Sequence, residues 1–477
     1  MTKEIERFIK KYSDEIAINN AALFAGAGFS KPAGYVDWKE LLRDVAYDLQ
    51  LDINKEKDLV TLSQYYCNKN SRNDLDEIVY NEFTKDKEID INHKIIANLP
   101  IHTYWTTNYD SLIEDALEDV GKCVDVKRDN KSLSTTLKNR DAIVYKMHGD
   151  KSNLSDVVLI KDDYETYYRN HKPFITALTG DLISKTFLFI GFSFNDPNLD
   201  YILSRIHVDY HENKRMHYAF MKIPQLADYD DDENLYEYQK TKFDLFIDDL
   251  KKRYNIQPLL LNNYSEITKI LEKIDKRVNS SNVFISGSAC EYGDFSKDEA
   301  ISLMTNLSKT LIKKDYHVIS GFGLGVGSYV ITGALEEIYM NGHNIKNEQL
   351  ILRPFPQNIT SKEERIKVWT RYRKDMISRA GISIFIFGNK LSQDQVLDAN
   401  GVRSEYEIAK EYRNIIIPVG CTGYVAKDIW NEMNDCLDDY RGYKTVKLKE
   451  CFKKLNEKLA TREIIENVME IIYENRL

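Results

Sequence analysis

The sequence predicts an α/β protein of two domains, each built on a mainly parallel sheet with helices over both faces. Three observations carry this. The chain has 477 residues, well beyond the ~250–300 at which a single hydrophobic core stops growing. Short apolar runs alternate along it with segments of helical periodicity, the pattern of a parallel sheet covered on two sides. That series stops at Asn279-Ser280-Ser281 and restarts, dividing the chain into 1–279 and 280–477.

The elements follow in order. Ile5, Phe8, Ile9, Tyr12 and Ile16 recur at helical spacing, and Asn19-Asn20 end that helix. The apolar run 21–25 reads as a buried strand, followed by the turn Gly26-Ala27-Gly28-Phe29-Ser30. Helical spacing resumes at Trp38 through Leu41, Leu42, Val45 and Leu49. Further strands are expected at 102–106, 142–146, 187–190 and 259–261. The acidic stretch 228–233 reads as a solvated loop. In the second half, 283–286 starts a new strand, and Ser296 with Glu299 forms a capping box for a helix through Leu303, Leu307 and Leu311. Strands are expected at 317–320, 350–352, 383–387 and 415–419, and an amphipathic helix at 461–473.

Composition excludes several classes. With 43% hydrophobic and 30% charged residues the chain is globular rather than disordered. A formal charge of 66 − 75 = −9 argues against nucleic acid or an anionic membrane as partner. Cys67, Cys123, Cys290, Cys421, Cys436 and Cys451 are scattered without a Cys-x-x-Cys pair, so no disulfide framework or cysteine-rich metal site is expected. The charged start, Met-Thr-Lys-Glu-Ile-Glu-Arg, is unlike a signal peptide, and no apolar run approaches the ~20 residues needed to span a bilayer. A cytoplasmic enzyme without a metal is the expectation.

Four polar turns, each directly after an apolar run, carry the chemistry of the first half. They are the Gly26–Ser30 turn, Thr106-Thr107-Asn108-Tyr109-Asp110, Met147-His148-Gly149-Asp150, and Gly191-Phe192-Ser193 with Pro197 following. Ligands of open parallel sheets bind outside the carboxyl ends of the strands, where these turns would converge. A glycine turn alone also occurs in proteins that bind nothing, and a lone histidine after a strand is commonly structural. His148 gains weight from its company.

These motifs, Gly-Ala-Gly-x-Ser, Thr-x-Asn-x-Asp, His-Gly and Gly-x-Ser-x-x-x-Pro, resemble the sirtuin superfamily in kind and order. The resemblance implies that Gly26, Ala27, Gly28 and Ser30 cradle the pyrophosphate of NAD+. It implies that Asn108 orients the nicotinamide ribose and a water, that Asp110 holds the carboxamide, and that His148 is the general base. Gly191 and Ser193 would line the adenosine side. Protein-deacylating sirtuins carry a zinc module with two Cys-x-x-Cys pairs, absent here because no cysteine lies between Cys123 and Cys290. Their Asp-Phe-Arg is also missing. Water is therefore the expected acceptor, which makes the first half an NAD+ glycohydrolase.

The second half carries two more strand-to-glycine turns, at Gly287-Ser288 and across Gly321, Gly323, Leu324, Gly325 and Gly327. So many glycines before a helix suggest backbone approach to a phosphate. Arg373 lies in a basic helical turn, Lys390 follows the strand 383–387, and Glu405 opens a helix. On its own Arg373 also reads as part of a solvated helix face, and Glu405 as favouring its helix N-terminus. This half resembles the SLOG branch of Rossmann-like domains, related to cytokinin-activating phosphoribohydrolases. Their Pro-Gly-Gly-x-Gly-Thr-x-x-Glu signature has no counterpart here, so binding without cleavage is expected.

A sirtuin-like domain followed by a SLOG domain resembles the effector family of Thoeris anti-phage defence. The resemblance implies an NADase, assembled as a homotetramer through the sirtuin-like domains. It would be switched on when a cyclic ADP-ribose isomer, made by a TIR-domain partner, binds the SLOG pocket. Arg373, Lys390 and Glu405 would then be signal-binding, together with Gly287, Ser288, Gly323, Leu324 and Gly325. The rival readings are a zinc-free NAD-dependent protein deacylase or ADP-ribosyl transferase, and a non-catalytic nucleotide-sensing scaffold.

Overall fold

The computed structural model describes residues 1–476 apart from 86, 195, 212, 341–348 and 357. Contacts divide the chain into two units, Met1–Asp275 and Lys276–Leu477.

The first unit holds seven strands: β1 (Ala21–Ala25), β2 (Thr103–Thr106), β3 (Val124–Lys127), β4 (Ala142–Lys146), β5 (Thr186–Ile190), β6 (His217–Lys222) and β7 (Ile256–Leu261). They form one sheet in the order β3-β4-β2-β1-β5-β6-β7 with every neighbouring pair parallel. All residues of β1, β2 and β5 are buried, as strands covered on both faces require. Order reverses at β1, whose neighbours β2 and β5 lead to opposite edges. The register sets the level of the strand ends: Ala25 pairs with both Thr106 and Ile190, and Thr106 pairs with Lys146. Four loops therefore leave the sheet at one height, around its switch point.

β3 and β6 were not expected from the sequence. β3 inverts the usual pattern, because its buried residues are Asp125 and Lys127 while the valines are half-exposed. The two charges are paired at 2.8 Å, and Arg140 holds Asp125 at 2.7 Å. An edge strand whose inner face is ion-paired has no apolar signature. β6 follows Lys214-Arg215, begins with the buried His217 and ends with Lys222, so basic residues and a histidine bracket its apolar stretch. In the stretch 228–233, Asp230 and Asp231 are exposed with positive φ, and Asp232 caps the helix Glu233–Tyr254.

The second unit contains β8 (Asn282–Ser288), β9 (His317–Ser320), β10 (Leu350–Leu352), β11 (Ile382–Phe387), β12 (Asn389–Ser392), β13 (Gln395–Asp398) and β14 (Ile415–Pro418). Its main sheet runs β10-β9-β8-β11-β14, all parallel, and reverses order between β8 and β11. The expected capping box is present: Ser296 Oγ accepts from Glu299 N at 3.3 Å, and Glu299 Oε2 accepts from Ser296 N at 2.8 Å. Unexpected from the sequence is the antiparallel hairpin β12–β13, whose turn residues Gln393 and Asp394 both have positive φ. Such turns are signalled by Asn-Gly or Asp-Gly, and Gln-Asp carries no such signal.

Candidate functional site

The loop after β2 places Asn108 over the end of β1. Thr106 Oγ1 donates to Ala25 O at 3.0 Å and accepts from Asn108 N at 2.9 Å. The Asn108 side-chain amide then donates to Gly26 O and to Ser30 Oγ, both at 3.1 Å. Both of its N–H groups are used, so Oδ1 is left with a fixed direction. That oxygen is buried and has no partner among the described residues. Asp110 is likewise buried; its Oδ1 accepts from Leu112 N at 3.0 Å, while Oδ2 is without a partner among the described residues. Buried polar atoms are rarely left unpaired, and here two acceptors lie two residues apart at the switch point.

His148 stands on the neighbouring loop after β4 and is 3% exposed. Its Nε2 lies 3.3 Å from Asp196 Oδ2 and 3.4 Å from the Asn198 side-chain amide. Tyr164 and Tyr167 meet the ring edge-on at 5.5 and 6.0 Å. Burial pushes the imidazole pKa below its usual 6.5, with Asp196 and Asp163 acting against that shift. The ring is therefore neutral at pH 7 and able to accept a proton.

The glycines also meet a packing requirement of the chain itself. Gly26 N donates to Ile190 O, Gly28 N to Gly191 O and Phe29 N to Gly26 O, at 2.9–3.0 Å. A Cβ on Gly26 would stand 2.5 Å from Gly191 O, and one on Gly191 (φ +62°) only 2.1 Å from Phe29 N. The loops after β1 and β5 touch backbone to backbone, and that contact alone demands glycine. Gly191→Ala should thus cost at least about 2 kcal/mol of stability through strain and displacement of the loop. Gly180, inside the helix Lys172–Ser184 with nothing within 4 Å of a Cβ, serves as control. Gly180→Ala should stabilise by about 0.5–1 kcal/mol. Urea midpoints measure both, and a neutral Gly191→Ala would contradict the packing argument. Ala27 is half-exposed, Ser30 is buried, and Ser193 is exposed without a hydrogen bond among the described residues.

Sequence reasoning missed three side chains here. His93, in the helix Ile91–Asn98, is fully buried, its ring 4.1 Å from that of Phe29, and neither nitrogen has a partner among the described residues. Burial lowers its pKa to about 4, with Asp110 and Asp90 opposing. Nothing local marked it, since a histidine in a helix 15 residues before Asn108 has no spacing signal. Asp196 was legible as a helix start: it precedes Pro197, and its Oδ1 accepts from Asn198 N and Leu199 N at 2.9 Å. Its second oxygen faces His148. Asn198 joins it from the first turn of the same helix.

In the second unit the structure brings Arg373 and Glu405 together. Arg373 Nε lies 3.5 Å from Glu405 Oε1, an ion pair without a hydrogen bond, and Glu405 Oε2 accepts from Ser286 Oγ of β8 at 2.6 Å. Burial raises the Glu405 pKa, while Ser286 and Arg373 oppose the rise. The Arg373 guanidinium also lies over the rings of Phe355 (5.1 Å) and Trp369 (5.9 Å). Arg373 is thus no solvated helix residue. Gly287, next to Ser286, opposes the loop after β9: a Cβ on Gly323 would be 1.9 Å from Gly287 O, and one on Gly325 (φ +71°) 1.8 Å from Ala289 O. Ser288 Oγ donates to Asn389 O at 2.9 Å. Chain packing again accounts for these glycines. Leu324 is 80% exposed beside them.

Lys390 lies on β12 of the hairpin rather than at the end of β11. It is exposed and makes no hydrogen bond or ion pair among the described residues, so the structure does not join it to Arg373 and Glu405. Its neighbour Asn389 is the fixed residue: fully buried, it accepts from Cys290 N at 2.8 Å and donates to Glu291 O at 2.9 Å. Among the described residues no group of histidine, cysteine and carboxylate side chains has the makings of a metal site. No helix among them is long and apolar enough to cross a membrane.

Comparison with known proteins agrees with this two-part layout. Residues 102–259 match the SIR2-like domain family, and residues 266–475 match the Sir2- and TIR-associating SLOG family. The NAD(+) hydrolase ThsA of Bacillus cereus (strain MSX-D12) is 50% identical over 99% of this chain and 98% of its own length. The NAD(+) hydrolase ThsA of Acinetobacter baumannii (strain 532279) is 45% identical over 95% of both. A protein of Bacillus subtilis named defense-associated sirtuin 2 is 29% identical over 41% of this chain and 20% of its own.

Proposed function

The chain belongs to the family of the ThsA NAD(+) hydrolases, and from that premise we propose that its SIR2-like half hydrolyses NAD+ to ADP-ribose and nicotinamide in anti-phage defence. Its SLOG half holds that activity off until a cyclic ADP-ribose isomer binds. The observation that carries the enzymatic part is the Asn108 side chain, pinned through both N–H groups with its oxygen buried and unpaired among the described residues.

The residues divide the work as follows. Asn108 Oδ1 accepts from the attacking water or the nicotinamide ribose, and Asp110 Oδ2 accepts from the carboxamide N–H. The bond between ribose C1′ and the nicotinamide nitrogen breaks with its electron pair leaving on nicotinamide. The water oxygen bonds to C1′, and its proton passes to His148. An oxocarbenium-like centre needs a fixed nucleophile and exclusion of bulk water, which buried, oriented groups provide. Gly26, Ala27, Gly28 and Ser30 are assigned to the pyrophosphate, and Gly191 and Ser193 to the adenosine side.

The neutral state of His148 gives a pH prediction. Because burial lowers its pKa, the imidazole stays a base below pH 6.5 and is lost as base only as pH falls through the lowered value. The acid limb of kcat/KM should therefore have its midpoint below 6.5. Stability falls in the same window, since there the unfolded chain binds a proton that the folded one refuses. An acid limb above 6.5 would contradict this role.

Signal binding is assigned to Arg373, Glu405 and Lys390 with Gly287, Ser288, Gly323, Leu324 and Gly325. A desolvated guanidinium beside a carboxylate suits a phosphate and a ribose hydroxyl respectively. The signal would come from a TIR-domain partner in the cytoplasm, a pairing supported by the Sir2- and TIR-associating family to which residues 266–475 match. A homotetramer is proposed through the first unit. Tyr201, Val208, Tyr238 and Leu245, 43–69% exposed on the helices Pro197–Tyr210 and Glu233–Tyr254, are apolar surface fit for self-association. The reaction is tested by incubating the protein with NAD+ and the isomers without any acceptor peptide. Nicotinamide and ADP-ribose should appear in equal amounts; nicotinamide without free ADP-ribose would indicate transfer to an acceptor instead.

A further inference from the structure

The two loops that carry the catalytic groups are fastened to each other by one buried cation. Lys146, the last residue of β4, is 0% exposed. Its ammonium donates to the Asp110 carbonyl and to Glu114 Oε1 at 2.9 Å, and lies 3.5 Å from the Tyr109 carbonyl. All three acceptors belong to the loop and helix that follow β2. On the other side it pairs with Asp150 Oδ2 at 2.8 Å, two residues beyond His148. Asp150 is held in turn by Ser152 N at 2.8 Å, and the backbone closes the link where Lys151 N donates to Tyr109 O at 3.3 Å. Glu114 and Asp150 are 4% and 3% exposed.

A lone lysine in such a place would lose its proton. Here burial is outweighed by Glu114, Asp150 and Asp110, which raise its pKa, and Lys146 in turn pulls the Asp150 carboxyl down to about 2 against its burial. Burial raises the Glu114 carboxyl while Lys146 opposes the rise, and the geometry holds the ammonium between Glu114 and Asp150 at 2.9 and 2.8 Å. A buried ion cluster is seldom the most stable filling for a core, since apolar side chains of the same volume do as well or better. What it supplies is direction: an ammonium with donors toward two loops fixes both.

We propose that Lys146 is a positioning residue that clamps the Asn108–Asp110 loop to the His148–Asp150 loop, so that the groups holding substrate and the base move as one body. This deepens the NAD+ hydrolase reading and rests on it for its kinetic consequence. Lys146 touches neither substrate nor reacting atoms. Its loss would act by letting the base and the bound ribose drift apart, where about 1 Å is worth about 10²-fold in rate.

The test uses the full chain and two variants. Lys146→Met/Glu114→Gln removes both partners of one pair and leaves Asp150 with Arg128, 3.5 Å from its Oδ2, and Asp150→Asn cuts only the His148 side. Turnover of NAD+ with the cyclic ADP-ribose isomers should fall about 10²-fold in kcat in the double variant, with KM changed less than about threefold. Hydrogen exchange should rise about tenfold or more in 107–111 and 147–151 together, while amides of β1 and β5 keep their protection. A folded double variant with kcat within about threefold of wild type would overturn the proposal. So would unchanged exchange in the two segments, or exchange that rises equally across the whole sheet, since that reports stability alone. If wild type itself cleaves no NAD+, the hydrolase reading fails, and the exchange pattern alone decides whether Lys146 couples the loops.

Discussion

Asn108→Ala should reduce NAD+ turnover by about 10³-fold or more while the protein stays folded. The side chain contributes in two ways that separate experimentally. Its N–H groups bind Gly26 O and Ser30 Oγ, and losing them leaves two acceptors short of a donor at a cost of about 1–3 kcal/mol. In the proposed reaction its Oδ1 directs the nucleophile, and an active centre that loses its orienting group forfeits most of the advantage of a bound, aligned water. A small drop in urea midpoint together with a large drop in kcat is the expected pair. His148→Ala should cost about 10²–10⁴-fold, the usual worth of a general base. Full turnover in either variant would remove these residues from the chemistry.

Arg373→Ala should move the response to the activating isomer to at least about 100-fold higher concentration. The guanidinium sits between a buried carboxylate and two aromatic faces, so it is held ready rather than recruited. Two charge-assisted hydrogen bonds to a phosphate are worth roughly 3 kcal/mol or more, which predicts at least a 100-fold rightward shift of the activation curve. The switch needs such energy: turning an equilibrium from 1:99 to 99:1 takes roughly 5.5 kcal/mol of differential binding. Several subunits binding together would supply it. An activation midpoint unchanged by Arg373→Ala would place the signal elsewhere.

Much of the fold was legible because short apolar runs mark the strands, most plainly β1 and β5, which are buried on both faces. The runs 21–25, 142–146 and 350–352 are strands over those same residues, and 102–106 and 187–190 differ by a single residue at their first end. β3 escaped because its core side is the Asp125–Lys127 pair, and the β12–β13 hairpin because its turn is Gln-Asp. In the site, Asn108, Asp110 and His148 stood out by their place directly after strands. His93, Lys146 and Asp196 did not, because what marks them is spatial. Each acquires meaning only from a partner 17 to 64 positions away: Phe29 or Asp110 for His93, Glu114 for Lys146, His148 for Asp196. Glycine turns were legible as turns, whereas the loops they pack against, distant in sequence, were not.

One chain is proposed to join a hydrolytic site to a nucleotide switch. The most direct measurement is the rate of NAD+ loss by the purified full-length protein, with and without cyclic ADP-ribose isomers, at fixed protein concentration. Negligible loss is expected without an isomer and rapid loss with one of them, nicotinamide and ADP-ribose forming together. Equal rates with and without every isomer would contradict the switch.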